Sequence, residues 1–170
     1  MRNTTLPLLL LISSLVFTAC QNRETLLERN KEVVLKDHAE VWSKGNLDIV
    51  EELYTPDFVC HFIIGPEWRG YEGIREAVSS HRTSFPDWTE HVEDIIAEGD
   101  RVVTRFRSRG TQKGEFNGIP PTGRTVEIYE VAIFRIENGR IAEQWGFPDV
   151  MGLMQQLTEA RRRVGDCGCC

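Results

Sequence analysis

The feature that most constrains the fold is a set of four long segments in which apolar and polar residues alternate. These segments are Trp88–Ala97, Arg101–Thr111, Arg124–Glu137 and Arg140–Phe147. Alternation with a period of two is typical of strands with one buried face. Asn138-Gly139 joins the last two, and this dipeptide favours a tight hairpin because both positions tolerate positive φ. The sequence therefore predicts consecutive antiparallel strands.

Helical spacing precedes and follows these strands. Helices are predicted over Thr25–Ser43, from Asn46 as N-cap to Tyr54, near Tyr71–Phe85 and over Val150–Arg162. A further strand, apolar on both faces, is predicted over Phe58–Ile64. Early helices followed by antiparallel strands predict an α+β fold. We expect a curved antiparallel sheet that wraps around the N-terminal helices as an open cone, with a pocket between sheet and helices.

The first residues look like an export signal. A short positive start precedes an apolar run that is too short to span a bilayer, and Phe17-Thr18-Ala19-Cys20 resembles the bacterial lipobox. This predicts a lipoprotein signal peptide over 1–19, a lipidated Cys20 with a tether over 20–29, a domain over 30–160 and a basic, Cys-rich tail over 161–170. The alternative is an ordinary signal peptide that is cut after Ala19.

Charge and cysteine usage limit the partners. The net charge of −6 argues against nucleic acid, because the one basic run, Arg161-Arg162-Arg163, is interpreted as a solvated helix end. Cys60 lies in an apolar strand and is expected to be a core residue. Cys167, Cys169 and Cys170 could hold a soft metal, but they lack a second spaced pair of ligands, so a disordered, redox-sensitive tail is favoured.

Several motifs occur in the order found in one known family. The run from Gly110 to Arg124 reads GTQKGEFNGIPPTGR, and further matches are Phe85-Pro86-Asp87-Trp88, 98–103, 134–141, Glu143-Gln144-Trp145 and 152–157. Together they resemble the SnoaL-like polyketide cyclases of the nuclear-transport-factor-2-like superfamily, over roughly residues 30 to 157. The resemblance implies the same cone fold and a homodimer formed through the outer face of the sheet. It also implies ring closure by intramolecular aldol condensation, which requires neither a metal nor a cofactor.

The catalytic residues depart from the family pattern. Gly146 occupies the position of the family's catalytic Asp, and Gln112 replaces the histidine of its GTH motif, although Gln112 can still donate a hydrogen bond. Glu130 is the best candidate for the base. Alternation places it on one face with Ala132, Phe134 and Ile136, and the family resemblance implies that this face points inward beside Gln144 and Gly146. A carboxyl among apolar neighbours has a raised pKa. The alternative is an ion pair between Glu130 and Arg105 or Arg107.

Other candidates support a pocket for a small-molecule ligand. His61 could polarise a carbonyl, or be a satisfied core histidine. Asp149 could be catalytic, but its position before the last helix favours an N-cap. The remaining candidates for ligand contact are Gln112, Gln144, Trp145, Trp68 and Tyr129. The tryptophans could equally be core residues.

Two functions are therefore predicted. One is a cyclase-like or isomerase-like enzyme that acts on a carbonyl-containing molecule. The other is a non-catalytic ligand-binding lipoprotein, which export favours. In both cases lipid on Cys20 would hold the protein in a bacterial cell envelope. In a host with two membranes we expect the outer membrane facing the periplasm, because Gln21 replaces the aspartate that commonly retains lipoproteins at the inner membrane.

Overall fold

The computed structural model describes residues 23–62 and 66–159. The predicted lipidation residue Cys20, the signal peptide and the tail cysteines Cys167, Cys169 and Cys170 lie outside the described residues. Within the described residues, no helix is long and apolar enough to cross a membrane.

Four helices lie in the described part of the chain. Helix α1 covers 23–36 and continues as a π-helical segment, Asp37–Trp42. The others are α2 (Val50–Leu53), α3 (Gly70–Ser84) and α4 (Val150–Thr158). The π-helical segment buries Asp37, His38, Val41 and Trp42, so two ionisable residues enter the interior together with apolar ones.

The second helix is shorter than predicted. Its N-cap is Ile49 rather than Asn46, and the Asn46 side chain instead accepts a hydrogen bond from the Asp48 backbone N–H at 3.3 Å. Tyr54 already belongs to the next strand. Pro56 favours this early end of the helix, because proline disfavours helical backbone at Thr55, the residue before it.

Six strands form one curved sheet that does not close. They are β1 (Tyr54–Phe62), β2 (Trp68–Arg69), β3 (Thr89–Glu98), β4 (Arg101–Thr111), β5 (Thr125–Glu137) and β6 (Arg140–Pro148). Their order in the sheet is β2-β1-β6-β5-β4-β3. All neighbours are antiparallel except β1 and β6, which are parallel. The predicted α+β fold is confirmed, but the sheet is mixed rather than wholly antiparallel, because only strands joined by a tight hairpin must reverse direction.

The inner face of the sheet carries the core. On β5 the inward residues include Ile128, Ala132, Phe134 and Ile136, all buried. Ala132, Phe134 and Ile136 belong to the larger apolar cluster, which includes residues of α1, β1 and α3. Ile128 belongs to a smaller cluster with Leu153 and Leu157 of α4. Burial of each large side chain contributes about 1.5–3 kcal/mol, so this packing holds the sheet against the helices.

Candidate functional site

A cavity of about 390 Å³ lies between the inner face of the sheet and the helices. Phe106, Ile128 and Ala132 contribute to its sheet wall, and Ala77 of α3 and Leu153 of α4 to its helical walls. Its size and apolar lining are typical of small-molecule sites. Three of the predicted site residues line it: Glu130, Gln144 and Trp68.

Glu130 is a buried carboxyl at the cavity wall. Its Oε1 atom is buried and has no hydrogen-bond partner. Burial and the neighbouring Glu90 carboxylate raise the pKa of Glu130 to about 8, although Ser108 and His38 oppose this rise. The alternative, an ion pair with Arg105 or Arg107, does not form: Arg105 contacts Glu93 and Asp94, and Arg107 lies 3.5 Å from Glu93 and Glu127.

A histidine and a second carboxyl flank Glu130. His38 Nδ1 lies 2.5 Å from Glu90 Oε2, and His38 Nε2 lies 3.1 Å from the Thr104 hydroxyl. The Trp88 indole N–H donates to the other Glu90 oxygen at 3.3 Å. Burial lowers the pKa of His38, but the hydrogen bond and charge of Glu90 outweigh it, so the pKa is raised. His38 and Glu90 therefore form a buried ion pair at the cavity.

A further buried acid lies behind this pair. The Tyr54 hydroxyl donates to Asp37 Oδ1, while Asp37 Oδ2 has no partner. Burial raises the pKa of Asp37 to about 7, against the opposing effects of His38 and the Tyr54 hydrogen bond. Asp37 does not line the cavity, so it can act on a ligand only through its neighbours.

The helical wall also presents unpartnered polar atoms. Trp42 Nε1 and His81 Nε2 are both buried without a hydrogen bond, and both rings line the cavity. Burial and the adjacent Arg82 lower the pKa of His81 to about 4, so its imidazole is neutral at physiological pH. The His81 ring packs edge-on against Trp88, with centroids 4.5 Å apart.

Strand β6 contributes Gln144 and Gly146. The Oε1 atom of Gln144 is buried and unpartnered, so it can accept a hydrogen bond. A Cβ atom added at Gly146 would lie 3.3 Å from the ring of Phe62. Phe62 therefore fills the space beside the position where the family resemblance implies an aspartate.

Five predicted site residues lie outside the cavity, and three of them, His61, Trp145 and Tyr129, lie on or near the sheet away from Glu130. The imidazole of His61 stacks on Trp145 with centroids 5.2 Å apart, and its Nδ1 lies 3.0 Å from Glu67. The guanidinium of Arg101 lies 4.9 Å from the Trp145 ring centroid. Tyr129 is 56 % exposed on the outer face of β5. The structure thus does not bring His61, Trp145 or Tyr129 together with Glu130.

Gln112 and Asp149 have structural partners. The buried amide of Gln112 donates to the Ile119 carbonyl at 3.1 Å and accepts from the Thr122 hydroxyl at 2.6 Å, which fixes the loop after β4. Asp149 caps α4 by accepting from the Gly152 N–H at 2.8 Å, which is the alternative that the sequence favoured. Neither side chain lines the cavity.

Sequence reasoning missed His38, Glu90 and His81. A signal for two of them was present, because His38 and His81 each occupy an apolar helical stripe. Glu90 lies within the alternating segment Trp88–Ala97, two residues from each of the inward residues Trp88 and Val92. A charged residue on an apolar face is informative because its burial requires a partner. The partner itself was hidden, since His38 and Glu90 are 52 positions apart.

Comparisons with known proteins agree with the fold. The family model described as SnoaL-like polyketide cyclase matches residues 32–157. An aklanonic acid methyl ester cyclase of Streptomyces sp. (strain C5) is 30% identical over 127 residues, covering 71% of this chain and 76% of that protein. The nogalonic acid methyl ester cyclase of Streptomyces nogalater is 27% identical, covering 68% of this chain and 88% of that protein. A solved structure from Jannaschia sp. CCS1, regarded as a SnoaL-like polyketide cyclase, aligns with a TM-score of 0.73 and 30% identity, covering 78% of this chain and 94% of that one.

Proposed function

Since this chain belongs to the SnoaL-like polyketide cyclase family, we propose that its cavity takes a carbonyl-containing small molecule and that Glu130 supplies acid–base catalysis. The placement of Glu130 carries this proposal. It is a buried cavity carboxyl with one unpartnered oxygen and with no arginine or lysine partner in the described part of the chain. A pKa raised to about 8 lies close to the range in which proton transfer at neutral pH is most effective.

The proposed reaction is an intramolecular aldol ring closure or a related isomerisation, as the names of the Streptomyces methyl ester cyclases suggest. A proton leaves the carbon next to a carbonyl, and the electrons of that C–H bond form an enolate. The enolate carbon attacks a second carbonyl, and the new alkoxide takes up a proton, so the product is an isomer of the substrate. Ionised Glu130 can remove the carbon proton, and neutral Glu130 can donate to the oxygen.

The test measures exchange of α-protons for deuterium in D₂O, by mass spectrometry, on a panel of aryl ketones and aryl keto methyl esters. We expect exchange with the wild-type protein and a loss of about 10²-fold or more in Glu130→Gln. Ligand binding, measured by quenching of the cavity tryptophans, should persist. Glu127→Gln is the matched control, because Glu127 lies on the same strand but is exposed. Equal exchange in wild type and Glu130→Gln would overturn the proposal.

A non-catalytic ligand-binding protein is the second candidate. The observation that favours it is Gly146, which has no acidic side chain at the position where the family resemblance implies an aspartate. The Phe62 ring covers this position. Tight binding of panel compounds, with no exchange above the rate without protein, would favour this function over catalysis.

For localisation, we propose that lipid on Cys20 anchors the domain in a bacterial cell envelope, as the Phe17-Thr18-Ala19-Cys20 motif suggests. Cell fractionation tests this directly. The wild-type chain should sediment with membranes and carry a radiolabelled fatty acid, whereas Cys20→Ser should be unlabelled. An unlabelled, non-sedimenting wild-type chain would contradict the anchor.

We also propose a homodimer through the outer face of the sheet. Exposed apolar side chains there include Tyr129, Val131 and Phe147. Light scattering after size exclusion should give twice the chain mass for the wild type, and the mass of one chain for Val131→Glu. A monomeric wild type would rule this dimer out.

A further inference from the structure

Four ionisable groups lie together in the interior beside the cavity: Asp37, His38, Glu90 and Glu130. Three of them are acids and one is a base. The imidazolium of His38 can balance only one negative charge. Each additional buried charge without a partner costs several kcal/mol, so the cluster favours retaining protons on the other acids.

The hydrogen bonds indicate which acid is ionised. Glu90 receives donors at both oxygens, from His38 and from the Trp88 indole. Glu130 Oε1 receives none. Each donor stabilises a carboxylate, so a buried carboxyl with an unpartnered oxygen is more stable when protonated than one with donors at both oxygens. Ser108 opposes this effect at Glu130 but does not outweigh it. The negative charge therefore belongs on Glu90 and the proton on Glu130.

We infer that Glu90, which is hydrogen-bonded by His38 and the Trp88 indole, is a positioning residue that keeps a proton on Glu130 in the resting protein. Glu130 then meets a ligand mainly as a neutral carboxyl, and its ionised minority removes a carbon proton. This inference rests on the proposed role of Glu130. A neutral carboxyl donates a hydrogen bond to a ketone or ester oxygen. A free carboxylate ligand would bring another negative charge beside Glu90, so the cavity selects ketones and esters over the corresponding acids.

The other charged or polar groups around Glu130 do not account for the proton that it retains. From β4, the neutral Ser108 faces it, while Arg105 and Arg107 pair with exposed acids. Arg82 of α3 is bound by backbone carbonyls, including those of Ser43 at 3.0 Å and Pro86 at 2.7 Å. From α1, Asp37 accepts a hydrogen bond from the Tyr54 hydroxyl. From β6, Gln144 carries no charge. Among the described residues, Glu90 and His38 are thus the ions that act on Glu130.

The test is a direct titration of the Glu130 carboxyl in the purified full chain by infrared difference spectroscopy. Glu130→Gln identifies its signal. We expect Glu90→Gln to lower the midpoint of Glu130 by at least one pH unit, a tenfold change in proton affinity. His38→Gln should raise it, because a positive charge is lost. Glu127→Gln, on the exposed part of the same strand, should leave it unchanged within a few tenths of a unit.

A second measurement needs no change in the cluster. Because interacting groups titrate together, the ¹⁵N resonances of His38 in the wild type should shift with the same midpoint as Glu130. The inference would be overturned if the Glu130 midpoint does not move in Glu90→Gln or His38→Gln. It would also be overturned if the His38 resonances do not change as Glu130 ionises.

The two proposals fail in different ways. If the midpoints move as expected but Glu130→Gln retains α-proton exchange, the proposed function fails and the role of the pair stands. If Glu130→Gln loses exchange and the midpoints do not move, only the present inference fails.

Discussion

The hydroxyl of Tyr54 donates a hydrogen bond to Asp37, and both side chains are fully buried. Tyr54 begins β1 and Asp37 begins the π-helical segment of α1, so this bond joins the first helix to the sheet directly behind His38. The second Asp37 oxygen has no partner. The bond from Tyr54 therefore helps to hold the helical segment that carries His38, whose ring is itself fixed by Glu90 and Thr104.

Tyr54→Phe removes this bond while keeping the aromatic packing. We expect the free energy of unfolding to fall by about 1–3 kcal/mol, because Asp37 is left without a hydrogen-bond donor to its carboxyl. Tyr129→Phe is the control: Tyr129 is exposed, and its hydroxyl should contribute less than about 0.5 kcal/mol. Urea denaturation measures both variants. Equal small losses would show that the Tyr54 hydroxyl contributes nothing to stability.

Glu130→Gln should stabilise the protein in a pH-dependent way. Folded Glu130 keeps its proton up to a pKa of about 8, whereas the unfolded chain releases it near the ordinary 4.5. Between these values the folded state binds more protons, so the stability of the wild type falls as pH rises. Glutamine cannot ionise. The stability gain of the variant should therefore grow from about pH 4.5 to about pH 8 and then level off.

Thermal denaturation at several pH values measures this gain, with Glu127→Gln as the exposed control. We expect a gain on the order of a few kcal/mol at the alkaline end, following from about 1.4 kcal/mol per unit of pKa. A gain that does not depend on pH would mean that Glu130 titrates alike in the folded and unfolded states.

His81→Phe should have the opposite pH dependence. Burial lowers the pKa of folded His81 to about 4, while the unfolded residue binds a proton near 6.5. The wild type therefore loses up to roughly 3 kcal/mol of stability as the pH falls through this window. His81→Phe keeps the ring packing against Trp88 and removes this loss, so its stability should depend less on pH between 4 and 6.5. His91→Phe, at an exposed position of β3, should keep the wild-type slope.

Much of the fold could be predicted from the sequence because its signals are local. Asn138-Gly139 marked the β5–β6 hairpin, and both residues have positive φ. Alternation placed Glu130 on the same face of β5 as the apolar residues Ala132 and Phe134, and this face lines the cavity. These features depend on neighbouring residues in the chain, so one sequence is sufficient.

The polar cluster could not be predicted in the same way. The pairing of His38 with Glu90 depends on the π-helical segment, which shifts the helical register, and on the packing of that segment against β3. Neither has a local sequence signal. The same limit explains Gln112, whose partners lie in a loop that folds back on it.

The loop that begins at Lys113 offers a last test, since its residues Glu115, Phe116 and Asn117 line the cavity. Gly114 approaches the end of α3 so closely that an added Cβ would lie 2.4 Å from the Thr83 carbonyl oxygen. The Lys113 and Gly114 N–H groups both donate to the Ser84 carbonyl, at 2.8 and 3.1 Å. Gly123 ends the same loop with a φ of +68° and open space around it.

Gly114→Ala and Gly123→Ala form a matched pair. Gly123→Ala carries only the cost of a left-handed backbone, about 1 kcal/mol, and should leave ligand affinity unchanged. Gly114→Ala must displace the loop from the backbone of α3, which we expect to cost about 1–3 kcal/mol or more. Because Phe116 of this loop lines the cavity, ligand affinity should fall as well. Thermal melts and ligand titration of both variants measure these effects. If Gly114→Ala loses stability but keeps full affinity, the loop supports the fold without shaping the cavity.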